Sequence, residues 1–175
     1  IRTSPLNRVF GVFFNQNQSV VLRDKTVRQA LNGSINRSEM VSQILGGYGT
    51  PLWGPVPPTL IGSADTAVTA SSTSAALAQA ARASLVAKGW KPRADGILQK
   101  TTGTGKNAST VTLQFDLATA NVPELRAAAE YLRVAWSLAG AQVNVKIFEQ
   151  GDLSQNIIRP RKYDALLFGE VVGRE

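Results

Sequence analysis

The sequence contains no cysteine and no histidine. Without thiols there is no disulfide, no thiolate nucleophile and no cysteine-based zinc site. Without imidazole every serine–histidine or cysteine–histidine pairing of nucleophile and base is excluded. The missing cysteines say little about compartment. A chain of 175 residues buries roughly 70% of its unfolded surface, enough for a core without covalent cross-links. No apolar run approaches the roughly 20 residues of a membrane span. The opening Ile1-Arg2-Thr3-Ser4-Pro5 lacks the basic start and apolar stretch of a secretory signal. If the parent protein is exported, its targeting segment is expected outside this stretch.

Carboxylates are also sparse, twelve in all. Asp24, Glu39, Glu124 and Asp152 stand at the starts of helical segments, where an anion offsets unpaired amides. No local pair suggests a general acid and base, and no calcium-loop spacing occurs. Thr102 to Lys106, TGTGK, invites a phosphate-loop reading but fails on spacing. The leading glycine of that motif would fall at Lys100, and Asn107 stands where serine or threonine is needed. A solvated hairpin turn fits instead. An enzyme is therefore not expected, nor a cofactor, a metal or a catalytic residue.

What is present is an ordinary apolar content of 43% with 18% charged residues, which argues for one folded domain over 1–175 rather than a disordered chain. The formal net charge is +7. A basic balance can mean nucleic acid, an anionic membrane or an acidic partner. Here Lys and Arg are scattered from Arg2 to Arg174, the densest group being Arg159, Arg161 and Lys162. They are not interleaved with aromatics as a strand-tracking groove requires. A basic nucleic-acid-binding module is thus the alternative reading, and nucleic acid is not the expected partner.

Arg8 to Asn15, RVFGVFFN, reads as a buried strand, followed by a connection through QNQSVVLRD. Asp24 caps a helix from Lys25 with Val27, Ala30, Leu31 and Ser34 on its buried side. Asn36 and Glu39 have capping-box spacing before Met40, Val41, Ile44 and Leu45, and Gly46-Gly47 ends that helix. Pro51, Pro55, Pro57 and Pro58 forbid regular structure through the next segment, which Trp53, Val56 and Leu60 are expected to pin down. The Ala-rich stretch Ser74–Lys88 reads as a helix buried through Leu77, Ala80, Ala81, Ser84, Leu85 and Lys88. A turn, a short strand and a hairpin loop lead to Thr110–Leu117, expected as one strand with a wet face. Asn121 is expected to cap the longest helix, buried through Leu125, Ala128, Leu132, Ala135, Trp136 and Ala139 and closed by Gly140. A strand through Val143, Val145, Ile147 and Phe148, a short helix from Asp152 to Arg159 and a last strand from Tyr163 to Gly169 complete the chain. The late strand–helix alternation predicts an α/β layer with parallel pairing.

One resemblance is more specific than these patterns. FFN at Phe13 to Asn15, DKTVRQAL at Asp24 to Leu31, INRSEMV at Ile35 to Val41 and GPVPP at Gly54 to Pro58 resemble, in order and spacing, the signature region of the family 5 extracytoplasmic solute-binding proteins. These are the peptide and nickel receptors of ABC importers. LVAKGWKPRADGIL at Leu85 to Leu98 is similar to the family's next block, and YDALLFG at Tyr163 to Gly169 to its cleft-reaching strand. The resemblance covers nearly the whole chain. It implies the C-terminal lobe of a two-lobed type II periplasmic-binding-protein fold, a mixed β-sheet flanked by helices. It also implies an extracytoplasmic parent that closes on a peptide or small solute between its lobes and presents it to a membrane permease. The other lobe lies outside this chain.

The ligand-lining positions so implied are Phe14, Asn15, Gly169, Glu170 and Val171, the last three offering backbone to an extended peptide. The family's acidic residue for the ligand's amino terminus has no aspartate at its usual offset here; Glu170 or Glu175 could substitute, or the residue is expected outside this stretch. Arg28 is expected to be structural, and Asp164 to make a local polar contact. Tyr163–Phe168 is expected to complete the sheet, with Gly169 to Val171 lining the cleft and Gly173-Arg174-Glu175 heading for the other lobe. Retention on DNA or RNA columns separates the receptor from the nucleic-acid reading, since phosphate binding falls steeply with salt. No retention is expected even at low salt, and strong salt-dependent retention would revive the alternative.

Overall fold

The computed structural model describes residues 8–54 and 72–171. Two sheets organise them. The larger contains β1 (Arg8–Phe14), β5 (Gln114–Ala120), β6 (Gln142–Phe148) and β7 (Ala165–Val171), in the order β1-β7-β5-β6. β5 runs parallel to β6 and to β7, whereas β1 lies antiparallel to β7. The smaller is an antiparallel meander of β2 (Lys91–Pro92), β3 (Leu98–Thr102) and β4 (Ser109–Thr112). This is the expected α/β domain with a mixed sheet.

The segment Thr110–Leu117, expected as one strand, is two. The chain breaks at Leu113, which is fully buried. Its amide donates to the Leu98 carbonyl and its own carbonyl accepts from the Gln142 amide, each at 2.8 Å. Leu113 thereby hands the chain from the small sheet to the large one. The alternation of Val111, Leu113 and Phe115 hides the change, because a strand that switches sheets keeps its period of two. Beyond the break β5 is buried on both faces from Leu117 to Ala120, as a central parallel strand should be.

Helices cover the sheet. QNQSVVLRD is more than a connection: Val20–Arg23 forms a single helical turn, α1, with Val21 and Leu22 buried. The Asp24 carboxylate then accepts from the Thr26 amide and caps α2 (Lys25–Gly33), which buries Val27, Ala30 and Leu31. Burial works against ionisation of Asp24, but the Thr26 amide and the Lys100 ammonium, 3.5 Å away, outweigh it and hold its carboxyl below the usual range. Arg28 is structural, donating to the Leu22 and Arg23 carbonyls at 2.8 Å each. Asn36 caps α3 (Arg37–Leu45) by accepting from the Glu39 amide. Only half the expected capping box forms, because the Glu39 carboxylate is taken by Gln43 and by the Ser74 hydroxyl. α3 is half-buried, with Met40 and Ile44 against the core, and Gly46 ends it in the left-handed conformation. The Arg37 guanidinium lies 4.8 Å from the centre of the Trp53 ring, which holds the start of the proline-rich loop to α3. Val56 and Leu60 lie outside the described residues.

α4 (Ser74–Ala87) is turned relative to expectation. Ala78, Ala81 and Leu85 are buried, whereas Ala80, Ser84 and Lys88 are exposed. With Leu77 they line an open groove of about 360 Å³ against Thr26, Ala30 and Gly33 of α2. A run of alanines carries too little hydrophobic contrast to fix helix rotation, so packing of Leu85 decides it. α5 (Pro123–Leu138) buries all six expected residues and closes at Gly140, whose φ is +99°. Asn121 does not cap it; Val122 occupies the cap position, and the Asn121 side chain is used elsewhere. The last helix, α6, begins at Gln150–Asp152 and continues as a π-helical turn over Leu153–Ile158.

That turn ends with Arg161 at φ +55°, the one non-glycine residue with positive φ among those described. A side chain there strains against the backbone by about 1–2 kcal/mol. Arg161→Gly should therefore raise stability by up to about 1 kcal/mol, read as a higher urea midpoint with unchanged slope.

Candidate functional site

In an open sheet with parallel strands, ligands sit outside the carboxyl ends of those strands. Here that edge is formed by Ala120-Asn121, Phe148-Glu149 and the end of β7, with the start of β1 beside them. The hydrogen-bond pattern shows what this edge leaves open. The Asn15 amide donates to the Asp164 carbonyl at 2.8 Å. Bonding direction alternates along an antiparallel strand, so Leu166, Phe168 and Glu170 bond toward β1, while Ala165, Leu167, Gly169 and Val171 turn toward β5. The ladder with β5 ends at Thr119–Leu167, and Asn121 already leaves for α5. The main-chain groups of Gly169 and Val171 therefore face a lane that β5 has vacated. Among the described residues none pairs with them there.

The strand runs further than the expected end at Gly169, through Glu170 to Val171. Gly169, Glu170 and Val171 pair with Phe10, Val9 and Arg8 of β1. Their second edge is the open one. Gly169 is half-buried and Glu170 exposed, so neither is closed inside the core. The last strand also starts later than expected, at Ala165. Tyr163 and Asp164 precede it, and the Asp164 carboxylate accepts from the Asp116 amide at 3.0 Å, the local contact anticipated.

Phe14 and Asn15 lie at the other end of this strand pair, opposite Ala165 and Asp164. Antiparallel pairing puts them roughly 15–20 Å from Gly169–Val171, so the fold does not bring the two groups together. The Phe14 ring packs on Trp136 with centroids 6.2 Å apart. Asn15 is engaged internally: its side-chain oxygen accepts from the Asn17 and Gln18 amides, and its side-chain nitrogen donates to the Arg161 carbonyl at 3.0 Å.

Two groups at the open edge escaped sequence reasoning. Phe10, directly opposite Gly169, is 43% exposed. A Cβ on Gly169 would fall 2.6 Å from the Phe10 ring, so the ring lies against the glycine. The signal was available, since a glycine inside a β-branched, aromatic strand marks close approach. The second is the Asn121 side chain, which donates to the Glu149 carboxylate at 2.6 Å. No local pattern predicts that contact, because 28 residues separate the two.

The comparisons with known proteins bear on the fold and the family. Residues 1–172 match the family described as bacterial extracellular solute-binding proteins, family 5 Middle. No curated protein matches. Among solved structures, the oligopeptide-binding protein AppA of Bacillus subtilis, in complex with a nonapeptide, is 24% identical with a TM-score of 0.76, over 95% of this chain and 32% of that one. NikZ of Campylobacter jejuni, in complex with Ni(L-His), is 22% identical with a TM-score of 0.66, over 97% of this chain and 31% of that one. The murein tripeptide binding protein MppA of Escherichia coli is 20% identical with a TM-score of 0.71, over 95% and 30%. At these identities the likeness is one of fold. The chain spans about a third of the length of these relatives.

Gly169→Ala should displace the Phe10 ring and lower stability by roughly 1–3 kcal/mol, measured by urea denaturation. An unchanged midpoint would show that the ring does not rest on the glycine. A mixed sheet with an open lane at its carboxyl edge and a family match over nearly its full length lead to one conclusion: this chain belongs to the family 5 bacterial extracellular solute-binding proteins, binding proteins rather than enzymes.

Proposed function

We propose that residues 1–175 are the C-terminal ligand-binding lobe of a two-lobed ABC-importer receptor. This lobe forms one wall of the cleft and performs no chemistry. The ligand is a peptide whose main chain pairs with Gly169 and Val171 in the lane beyond β5, as an added strand. The second lobe closes over it, and the closed receptor delivers it to a membrane permease at the extracytoplasmic face.

The observation that carries this reading is the unpaired backbone edge at Gly169 and Val171. Exposed amides and carbonyls spaced for a strand suit a peptide of varied side chains better than a compact solute, because main-chain bonds supply affinity without reading sequence. A metal chelate such as the Ni(L-His) bound by NikZ has no use for such a ladder. Glu170 bonds toward β1 through its backbone and contributes its side chain to the same edge. Phe14 and Asn15 serve as packing and turn residues that hold the far end of the β1–β7 pair.

Half a cleft desolvates little of a ligand, so isolated binding should be weak. Isothermal titration of this chain with a mixed tripeptide-to-nonapeptide library should show no saturable heat. The receptor carrying both lobes should bind members of the same library tightly. Tight binding by this chain alone, or by the whole receptor to Ni(L-His) but to no peptide, would overturn the proposal.

A further inference from the structure

The end of the sheet opposite the open lane carries the densest cations of the chain. Arg159, Arg161 and Lys162 follow α6 directly, and all three are exposed. Arg23 and Lys25, also exposed, stand at the junction of α1 and α2. One turn joins the two groups. The Asn15 side chain donates to the Arg161 carbonyl at 3.0 Å, and the Arg23 side chain donates to the Gln16 carbonyl at 3.2 Å. Among the described residues none of these five cations is ion-paired. The carboxylates of this end are engaged internally. Asp24 accepts from the Thr26 amide and pairs with Lys100, Asp116 accepts from the Asn144 side chain, and Asp164 accepts from the Asp116 amide. The field outside this end is therefore positive.

Two apolar side chains are exposed among these cations. β6 and β7 lie on opposite sides of β5, so right-handed crossovers put α5 and α6 on opposite faces of the sheet. Phe14 packs on Trp136 of α5. Phe13, one residue earlier, belongs to the other face, the α6 side, and is 48% exposed. Val20, the first residue of α1, is 61% exposed. Arg161 adds a third observation. Its cation is carried on a backbone at φ +55°, which glycine would adopt without strain. Backbone strain of this kind concentrates at functional positions.

We propose that this end of the domain is a contact surface for an anionic lipid bilayer. The cations meet phosphate headgroups, while Phe13 and Val20 enter the headgroup boundary. The cations spread around a turn and do not converge on a buried point. That suits many mobile headgroups better than one discrete anion. They also lack the interleaved aromatics of a groove for single-stranded nucleic acid. A bilayer at this end leaves the carboxyl edge of the sheet uncovered, so membrane contact and an open lane are compatible. The contact holds the protein near a membrane by charge, whatever class of ligand the lane takes.

The test is co-sedimentation of this chain with vesicles of phosphatidylcholine, alone or mixed with phosphatidylglycerol, at low and high salt. Binding is expected to the mixed vesicles only, and it should fall as salt screens the headgroups. Each cation near an anionic surface strengthens partitioning roughly fivefold. The triple variant Arg159→Gln, Arg161→Gly, Lys162→Gln should therefore bind roughly a hundredfold more weakly, with a urea midpoint no lower than that of the wild type. Lys88→Gln, Lys91→Gln, Lys106→Gln removes as many exposed charges from the end of α4 and the small sheet. It should weaken binding by less than about fivefold. Phe13→Ser should remove the part of the binding that survives high salt. Equal loss in the two triple variants would mean a response to net charge alone and overturns the assignment. So does a failure to bind mixed vesicles at low salt, or tighter retention on DNA than on those vesicles at matched salt.

Discussion

Trp136 is the side chain on which the two layers of this domain meet. Its ring lies 5.5 Å from Phe115 of β5 and 6.2 Å from Phe14 of β1, and its indole nitrogen donates to the Leu31 carbonyl of α2 at 3.0 Å. One fully buried residue thus joins α5, α2 and two strands of the sheet. The hydrogen bond removes the penalty of burying the indole N–H, and the rings supply large apolar contact. All of this happens at the amino ends of the parallel strands. The core is therefore tied down at the end of the sheet away from the open carboxyl edge.

The consequence for binding is geometric. A sheet must be well anchored somewhere before one of its edges can remain unpaired without the whole sheet fraying. β5 stops at Ala120, while β7 continues to Val171 against β1. The stagger between these two strands, with Ala165 beside Leu117, leaves the backbone of Gly169 and Val171 held in strand conformation on one side and open on the other. Such pre-organisation would suit the added strand proposed above, because the edge is already ordered before it is met.

A second network supports the helical layer. Tyr131 on α5 donates to the Asn36 carbonyl at 3.2 Å and shares a 2.9 Å contact with the Ser74 hydroxyl, which also bonds Glu39. Burial pushes the Tyr131 hydroxyl up; the Ser74 bond works against this and the Glu39 charge adds to it, so the group stays a neutral donor. Three helices converge on these few atoms, the starts of α3 and α4 against the middle of α5. The network explains why Glu39 is unavailable to complete a capping box that its local spacing suggests.

Local sequence determined much of this protein. The β-branched and aromatic run of β1, the Asp24 and Asn36 caps, the Gly46 and Gly140 stops and the six-residue buried stripe of α5 each follow from propensities acting within one turn or one strand. The resembling motifs extended that to the family. Tertiary structure alone decided where Thr110–Leu117 breaks, which side of alanine-rich α4 faces inward, and that Asn121 holds Glu149 rather than its own helix. It also separated Phe14 and Asn15 from Gly169–Val171. The physical reason is common to all of these. A period of two does not say which sheet a strand joins, and a run of small residues does not orient a helix. A side chain with several nearby partners is claimed by whichever contact the assembled fold brings within 3 Å.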